Sequence, residues 1–172
     1  MDVIWQTLQA EFADITDEAE ITRILLRLSM AAILGAVLGF ERESKGKSAG
    51  VRTHMLVSMG AALFVLAPSM AGADEQALSR VIQGIVAGIG FLGAGTILKG
   101  NGQDTSHVKG LTTAAGLWMT AAIGTAAGMG REATALISTL LALLVLATMP
   151  LLVDKLEAQE EDKRREEEGR KH

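Results

Sequence analysis

Two short polar stretches hold the residues that could do chemistry in this chain. Residues 41–53 read ERESKGKSAGVRT and carry Glu41, Arg42, Glu43 and Arg52. Residues 99–110 read KGNGQDTSHVKG and carry Asn101, Asp104 and Lys109, with Lys99 and His107 beside them. Mg²⁺ is held by one or two carboxylates and keeps several waters, so Glu41 with Asp104 and Asn101 would suffice for such a site. Glu41 and Glu43 are two apart and cannot share a helix face, which makes them a poor metal pair if a helix runs through them. The competing reading is a salt-bridge network at a membrane edge, with Glu41 paired to Arg52 across the loop or to Lys99 or Lys109. The functional reading is an ion or partner site at one end of a helix bundle.

Other chemistries find little support. The chain has no Cys, so disulfides, thiolate metal sites and thiol nucleophiles are excluded. No phosphate-binding loop of the GxxxxGK[ST] type is present. Ser44, Ser48 and Ser106 lack a nucleophile elbow, and His54 and His107 lack metal-ligand spacing and read as loop or boundary histidines. GIGFLG at residues 88–93 matches the dinucleotide pattern, but that pattern needs a strand before it and a soluble βαβ unit around it. Here it lies inside an apolar run. No enzyme is expected.

The elements around these stretches are apolar and rich in small residues. The chain is 49% hydrophobic and only 3% aromatic, with 19 Gly among 172 residues. That balance points to a membrane protein of one domain. Apolar runs at about 24–40, 54–71, 81–98, 111–129 and 133–153 are each close to the ~20 residues that cross a bilayer core. The expected fold is all-α: a polytopic membrane protein with five transmembrane helices in a compact, Gly-rich bundle. Residues 1–20 read as an amphipathic acidic segment, 21–153 as the five-span domain and 154–172 as a charged cytoplasmic tail. No secretory signal peptide is read at the acidic start. Asp17 and Glu20 resemble a capping box ahead of the first span.

Gly35 and Gly39, Gly84 and Gly88, and Gly124 and Gly128 form three GxxxG pairs on separate spans. With Gly90, Gly93 and Gly95 they read as positions where helix backbones approach closely. Orientation follows from the basic residues. The 41–53 stretch holds four Lys or Arg, the 99–110 hairpin two and the tail six, against Arg23, Arg27, Arg80 and Arg131 at the other end. The positive-inside rule places the two polar stretches and the tail in the cytoplasm, with the N-terminus outside.

The segments GFERE, AGVRT, GIGFLGAG and GLTTAAGLW, in this order across residues 21–150, resemble the MgtC/SapB family of bacterial inner-membrane proteins. The resemblance implies a five-span, N-out protein without enzymatic activity. It implies a role in Mg²⁺ or pH homeostasis, or in restraining a membrane complex such as the F-type ATP synthase. The alternative is a transporter or channel for Mg²⁺ or another ion. Mapped here, the family's polar positions are Glu41, Arg42, Glu43, Arg52 and the hairpin, especially Asp104 and Lys109. Mg²⁺ is the one ligand it suggests. Membrane lipids and a membrane complex are the expected partners, a homodimer is left open, and no nucleic acid is expected. The best-known members carry a soluble ACT-type domain after the spans, where this chain has about 19 charged residues, as in the shorter SapB-like members.

Overall fold

The structure is a computed structural model and describes residues 2–11, 17–98 and 109–149. The described residues form six helices: α1 (Asp2–Glu11), α2 (Glu18–Ser44), α3 (Val51–Met70), α4 (Glu75–Leu98), α5 (Leu111–Gly128) and α6 (Glu132–Met149). The polar residues 99–108 and the tail from 150 lie outside the described residues. α1 has no buried residue, and its Val3, Ile4, Trp5 and Leu8 are all exposed. That suits a helix lying at an interface rather than one packed on a core.

Each helix starts and stops for a local reason. The Asp17 carboxylate accepts from the Ala19 N–H at 3.1 Å and caps α2, and Asp74 does the same for α4 through Ala77 N–H at 2.7 Å. α2 ends at Gly46, whose φ of 65° lets its N–H bond Glu43 O while Lys47 N–H reaches Arg42 O. α5 ends in the same way at Gly130, φ 74°, with Gly130 N–H on Ala127 O and Arg131 N–H on Ala126 O. Both are Schellman closures, which satisfy the last carbonyls of a helix. Because the stop of α2 is Gly46, the helix runs on through Glu41, Arg42, Glu43 and Ser44. These residues are its last turn, not part of a loop.

α2, α3, α4 and α6 are long and apolar enough to cross a membrane. α5 is 18 residues long and uncharged, but it is composed mostly of Ala, Gly and Thr. It is also the most enclosed helix. Thr113, Leu117, Thr120, Ala121, Ile123, Gly124, Ala127 and Gly128 are all buried, and it packs on α2, α3 and α4. The main core joins Ala31, Leu34 and Leu38 of α2 with Ala62 of α3, Ile123 and Ala127 of α5 and Ala135 of α6. A helix shielded by its neighbours needs small side chains more than greasy ones.

The glycines divide into two groups. A Cβ built on Gly35 would lie 2.7 Å from His54 O, and one on Gly39 would lie 2.6 Å from Val51 Cα. One on Gly124 would strike the Ser58 backbone, and one on Gly128 the Ala62 backbone. α2 and α5 therefore each press a glycine pair onto the backbone of α3. Gly84, Gly88, Gly90 and Gly95 do not share this role, since a Cβ on any of them would meet nothing within 4 Å. Gly93 would meet Ala114 Cβ at 3.4 Å, an ordinary contact. The reason is position: α4 lies at the edge of the bundle, and only Ile89 and Gly93 are buried among its described side chains. Between α4 and α3 runs an apolar groove of about 650 Å³ past Gly60, Phe64, Gly84 and Gly88.

At the end opposite the polar stretches, Arg27 of α2 reaches across to α5. Its Nη1 donates to Gly128 O at 3.0 Å, and its guanidinium lies against Gly130. A cation at a helix C-terminus is favourable, and this one also fills a carbonyl left open by the helix.

The two groups of glycines should separate in an unfolding experiment. Gly124→Val forces a branched side chain into the α3 backbone and is expected to destabilise the protein by about 1–3 kcal/mol or more, as overpacking does. Gly88→Ala opens onto free space and exchanges a poor helix former for a good one, so it should be neutral or stabilising by up to about 1 kcal/mol. Reversible unfolding in mixed detergent micelles measures both. Equal losses for the two variants would refute the division.

Candidate functional site

The charged end of the bundle is built where α2 stops, α3 starts and α6 passes. Arg42 is the buried centre, only 2% exposed. Its Nε donates to the Glu41 carboxylate, and Lys45 Nζ stands 2.8 Å from the other Glu41 oxygen. Lys45 also donates to Leu146 O of α6 at 3.0 Å. This ties the last turn of α2 to the far end of α6. Glu43 turns the other way, and its Oε2 accepts from Val51 N–H at 2.8 Å. Residue 50, the N-cap of α3, is Gly and offers no side chain for capping. Glu43 therefore supplies the missing acceptor from the neighbouring helix, and its negative charge sits at the positive end of α3. Gly50 has to be small there, because a Cβ would run into the Glu43 carboxylate.

Among the described residues the partners of Glu41 are Arg42 and Lys45, not the Arg52 or Lys109 considered from the sequence. The cause is the continued helix: Lys45 is one turn on from Glu41, so the pair forms along one face. Arg52 and Lys109 are exposed and pair with no carboxylate among the described residues. Asn101 and Asp104 lie outside the described residues, as does Lys99. Among the described residues no three His, Asp or Glu side chains stand close enough to hold a metal ion. What is present of the ERE motif is thus one ion pair within α2 and one tie from Glu43 to α3. The start of α5 is held near the same end by Gly110, where a Cβ would lie 2.7 Å from Thr96 O of α4.

One residue is deeper than its sequence position implied. His54 is not a boundary side chain; it is 1% exposed, one turn into α3. Its Nδ1 stands 2.7 Å from Thr120 Oγ1 of α5, while its Nε2 has no partner among the described residues. Ser58, one turn further along α3, is fully buried, and its hydroxyl is also without a partner there. His54 could be buried because α2 and α5 place Gly35, Gly39 and Gly116 around it. A Cβ on Gly116 would already touch the ring, 3.6 Å from Cε1. The sequence signal was the spacing of these glycines, but it becomes legible only once the three helices are paired.

The order of these motifs has a counterpart among known proteins. The pattern of the MgtC family matches residues 28–155. The chain belongs to the MgtC family. It is 47% identical over 130 residues to Protein SrpB of Synechococcus elongatus, an alignment covering 70% of this chain and 71% of that protein. It is 40% identical over 139 residues to the Putative magnesium transporter YhiD of Escherichia coli K12, covering 77% and 63%. It is 43% identical over 132 residues to Protein MgtC of Brucella abortus, covering 77% and 53%. The chain thus spans between about half and seven-tenths of the length of these relatives. No solved structure matches it. In this MgtC-family chain the matched residues take in the Glu41–Lys45 turn, His54 and the whole of α3 to α6.

The two glutamates of the motif should differ in cost. Glu41→Gln leaves the buried Arg42 without its counter-charge, and breaking a buried pair on one side costs about 3 kcal/mol or more. Glu43→Ala removes one cap acceptor and should cost about 1 kcal/mol. Chemical unfolding in micelles reads both. A loss at Glu43 equal to or greater than that at Glu41 would show that Arg42 is satisfied without it.

Proposed function

We propose that this chain is a non-catalytic, five-span inner-membrane protein that modulates Mg²⁺ or pH homeostasis, acting on another membrane complex such as the F-type ATP synthase. The fifth span is α5. Its enclosure by α2, α3 and α4 compensates for its modest hydropathy, and a helix alternating up and down with its neighbours has to cross with them. The Glu41–Lys45 end faces the cytoplasm, in keeping with the Lys and Arg of residues 41–53 and 99–110. The non-catalytic reading takes its support from the Glu41, Arg42 and Glu43 side chains. Glu43 ties α2 to α3, while Glu41 and Arg42 pair with each other and Glu41 with Lys45, and the described part of the motif presents no nucleophile paired with a base.

The observation that carries the modulator reading over transport is the state of the buried hydroxyls. Thr120 donates to Gly116 O, Thr125 to Ala121 O and Thr139 to Ala135 O, each at 2.8–2.9 Å. Each proton is committed to the preceding turn of its own helix, so these hydroxyls serve as packing groups of the bundle, which supports the modulator reading. Transport of Mg²⁺ is the second reading. YhiD of Escherichia coli bears the name of a putative magnesium transporter, and Arg42, His54, Ser58 and Thr120 make a buried polar seam between α2, α3 and α5.

Two measurements separate the readings. Purified protein in liposomes loaded with a Mg²⁺-sensitive dye is expected to show no flux above empty vesicles. Overexpression in cells is expected to change ATP level or membrane potential and to copurify a membrane complex after crosslinking. Mg²⁺ flux abolished by Ser58→Val would establish transport instead. Unchanged ATP level and potential, with no crosslinked partner, would remove the modulator reading.

A further inference from the structure

A second cavity lies beside His54, between α5 and α6. It has a volume of about 360 Å³, and its wall includes His54, Thr112, Met119, Leu141, Ala142 and Val145. That size falls within the range of small-molecule sites, which are mostly apolar with a few placed polar groups. The polar group of interest is His54. Its ring is buried, and Nε2 finds no partner among the described residues. An unmet buried polar atom normally costs about 1–3 kcal/mol, so it asks for an explanation.

The hydrogen bonds around the ring decide what Nε2 wants. Thr120 has one hydroxyl proton, and it is donated to Gly116 O at 2.9 Å. The same oxygen stands 2.7 Å from His54 Nδ1. With the Thr120 proton placed on Gly116 O, the tautomer with Nδ1 as donor and Thr120 Oγ1 as acceptor completes the pair. A neutral imidazole with its proton on Nδ1 presents a lone pair at Nε2. The missing partner is therefore a hydrogen-bond donor. The cavity wall offers that donor only apolar neighbours, apart from the Thr112 hydroxyl. No carboxylate is among the lining residues, so a cation would lack compensation.

We infer that this cavity binds an apolar molecule carrying a hydroxyl group, with the alkyl part between α5 and α6 and the hydroxyl donating to His54 Nε2. Leu141 and Val145 are exposed on α6, so the cavity opens toward the side of the bundle where lipid would lie. Both a hydroxyl-bearing bilayer lipid and a free long-chain alcohol supply this chemistry.

The test is ¹⁵N-histidine NMR of the whole protein in nanodiscs, with His107 and His172 replaced by Gln so that one ring remains. In phosphatidylcholine discs, which offer no hydroxyl donor, the spectrum should show the Nδ1–H tautomer with a bare Nε2. Added 1-decanol should move the Nε2 resonance toward the hydrogen-bonded position, whereas decyl methyl ether should need about tenfold more to bind, the worth of one hydrogen bond. Ala142→Phe fills the cavity and should abolish the decanol shift; where that variant does not fold, Val145→Trp blocks it from the exposed face. A shift already present in phosphatidylglycerol discs, whose glycerol carries hydroxyls, assigns the occupant to the bilayer. The proposal is overturned by an Nε2–H tautomer, by a hydrogen-bonded Nε2 in phosphatidylcholine discs without any probe (water alone fills the site), or by a decanol response that survives both cavity-filling variants.

Discussion

The architecture rests on the contact of three helix backbones at α3. α2 lays Gly35 and Gly39 on one side of it, over His54 and Val51, and α5 lays Gly124 and Gly128 on another, over Ser58 and Ala62. In a membrane, burying apolar side chains against one another gains little, because lipid tails are as apolar as they are. What remains is close van der Waals contact and the pairing of polar groups. Both need backbones to approach, which only small residues permit. The glycine pairs therefore set the separation of α2, α3 and α5, and everything polar in the interior is placed at that separation. The bond between His54 and Thr120 crosses the α3–α5 contact between Gly116 and Gly124, and it exists because those two helices are so close.

The charged end obeys the same constraint from its outer edge. α2 runs a full turn beyond its apolar residues before Gly46 stops it, which carries Glu41, Arg42 and Glu43 past the start of α3. Glu43 can then cap α3, and Lys45 can reach the end of α6. Arg42 can be buried only because Glu41 sits on the adjacent residue and shares its carboxylate with Lys45. The opposite end repeats the idea with a different residue. Arg27 joins α2 to the closing turn of α5. Each end of the bundle is thus fastened by a basic side chain donating to a helix-terminal carbonyl, Lys45 to Leu146 and Arg27 to Gly128.

The class of fold was legible in the sequence, because apolar runs of bilayer length and blocked charge are strong signals. The Asp17 cap was legible too, but the stop of α2 at Gly46 was not, because the apolar run ends near residue 40. Partner choice was not. GxxxG reads the same at 35/39, where it meets a backbone, and at 84/88, where it faces open space; the motif gives spacing but not the direction of the face. The Glu41 pairing was misplaced because the charged residues 41–44 looked like loop, when a helix carries charge freely once it has left the apolar region. α5 falls short on hydropathy because of the Thr and Gly residues it packs against α2, α3 and α4, and hydropathy cannot register enclosure. The hairpin residues Asn101 and Asp104 lie outside the described residues.

His54 shows how such a bundle can carry a polar group in its interior. A buried imidazole in an apolar protein has to satisfy two nitrogens, and here the nearest helix satisfies one. Thr120 does so while its own proton goes to Gly116 O, so the hydroxyl acts as a relay of direction rather than of charge. Thr125 and Thr139 also donate to their own backbones, so these hydroxyl protons are held within their helices. The unmatched capacity of the seam is then concentrated at Ser58 Oγ and His54 Nε2. Ser58 is enclosed by the Gly35 and Gly124 contacts. His54 borders the cavity beside α5, where α6 is held to this end through Lys45 and places its small Ala142 on the wall.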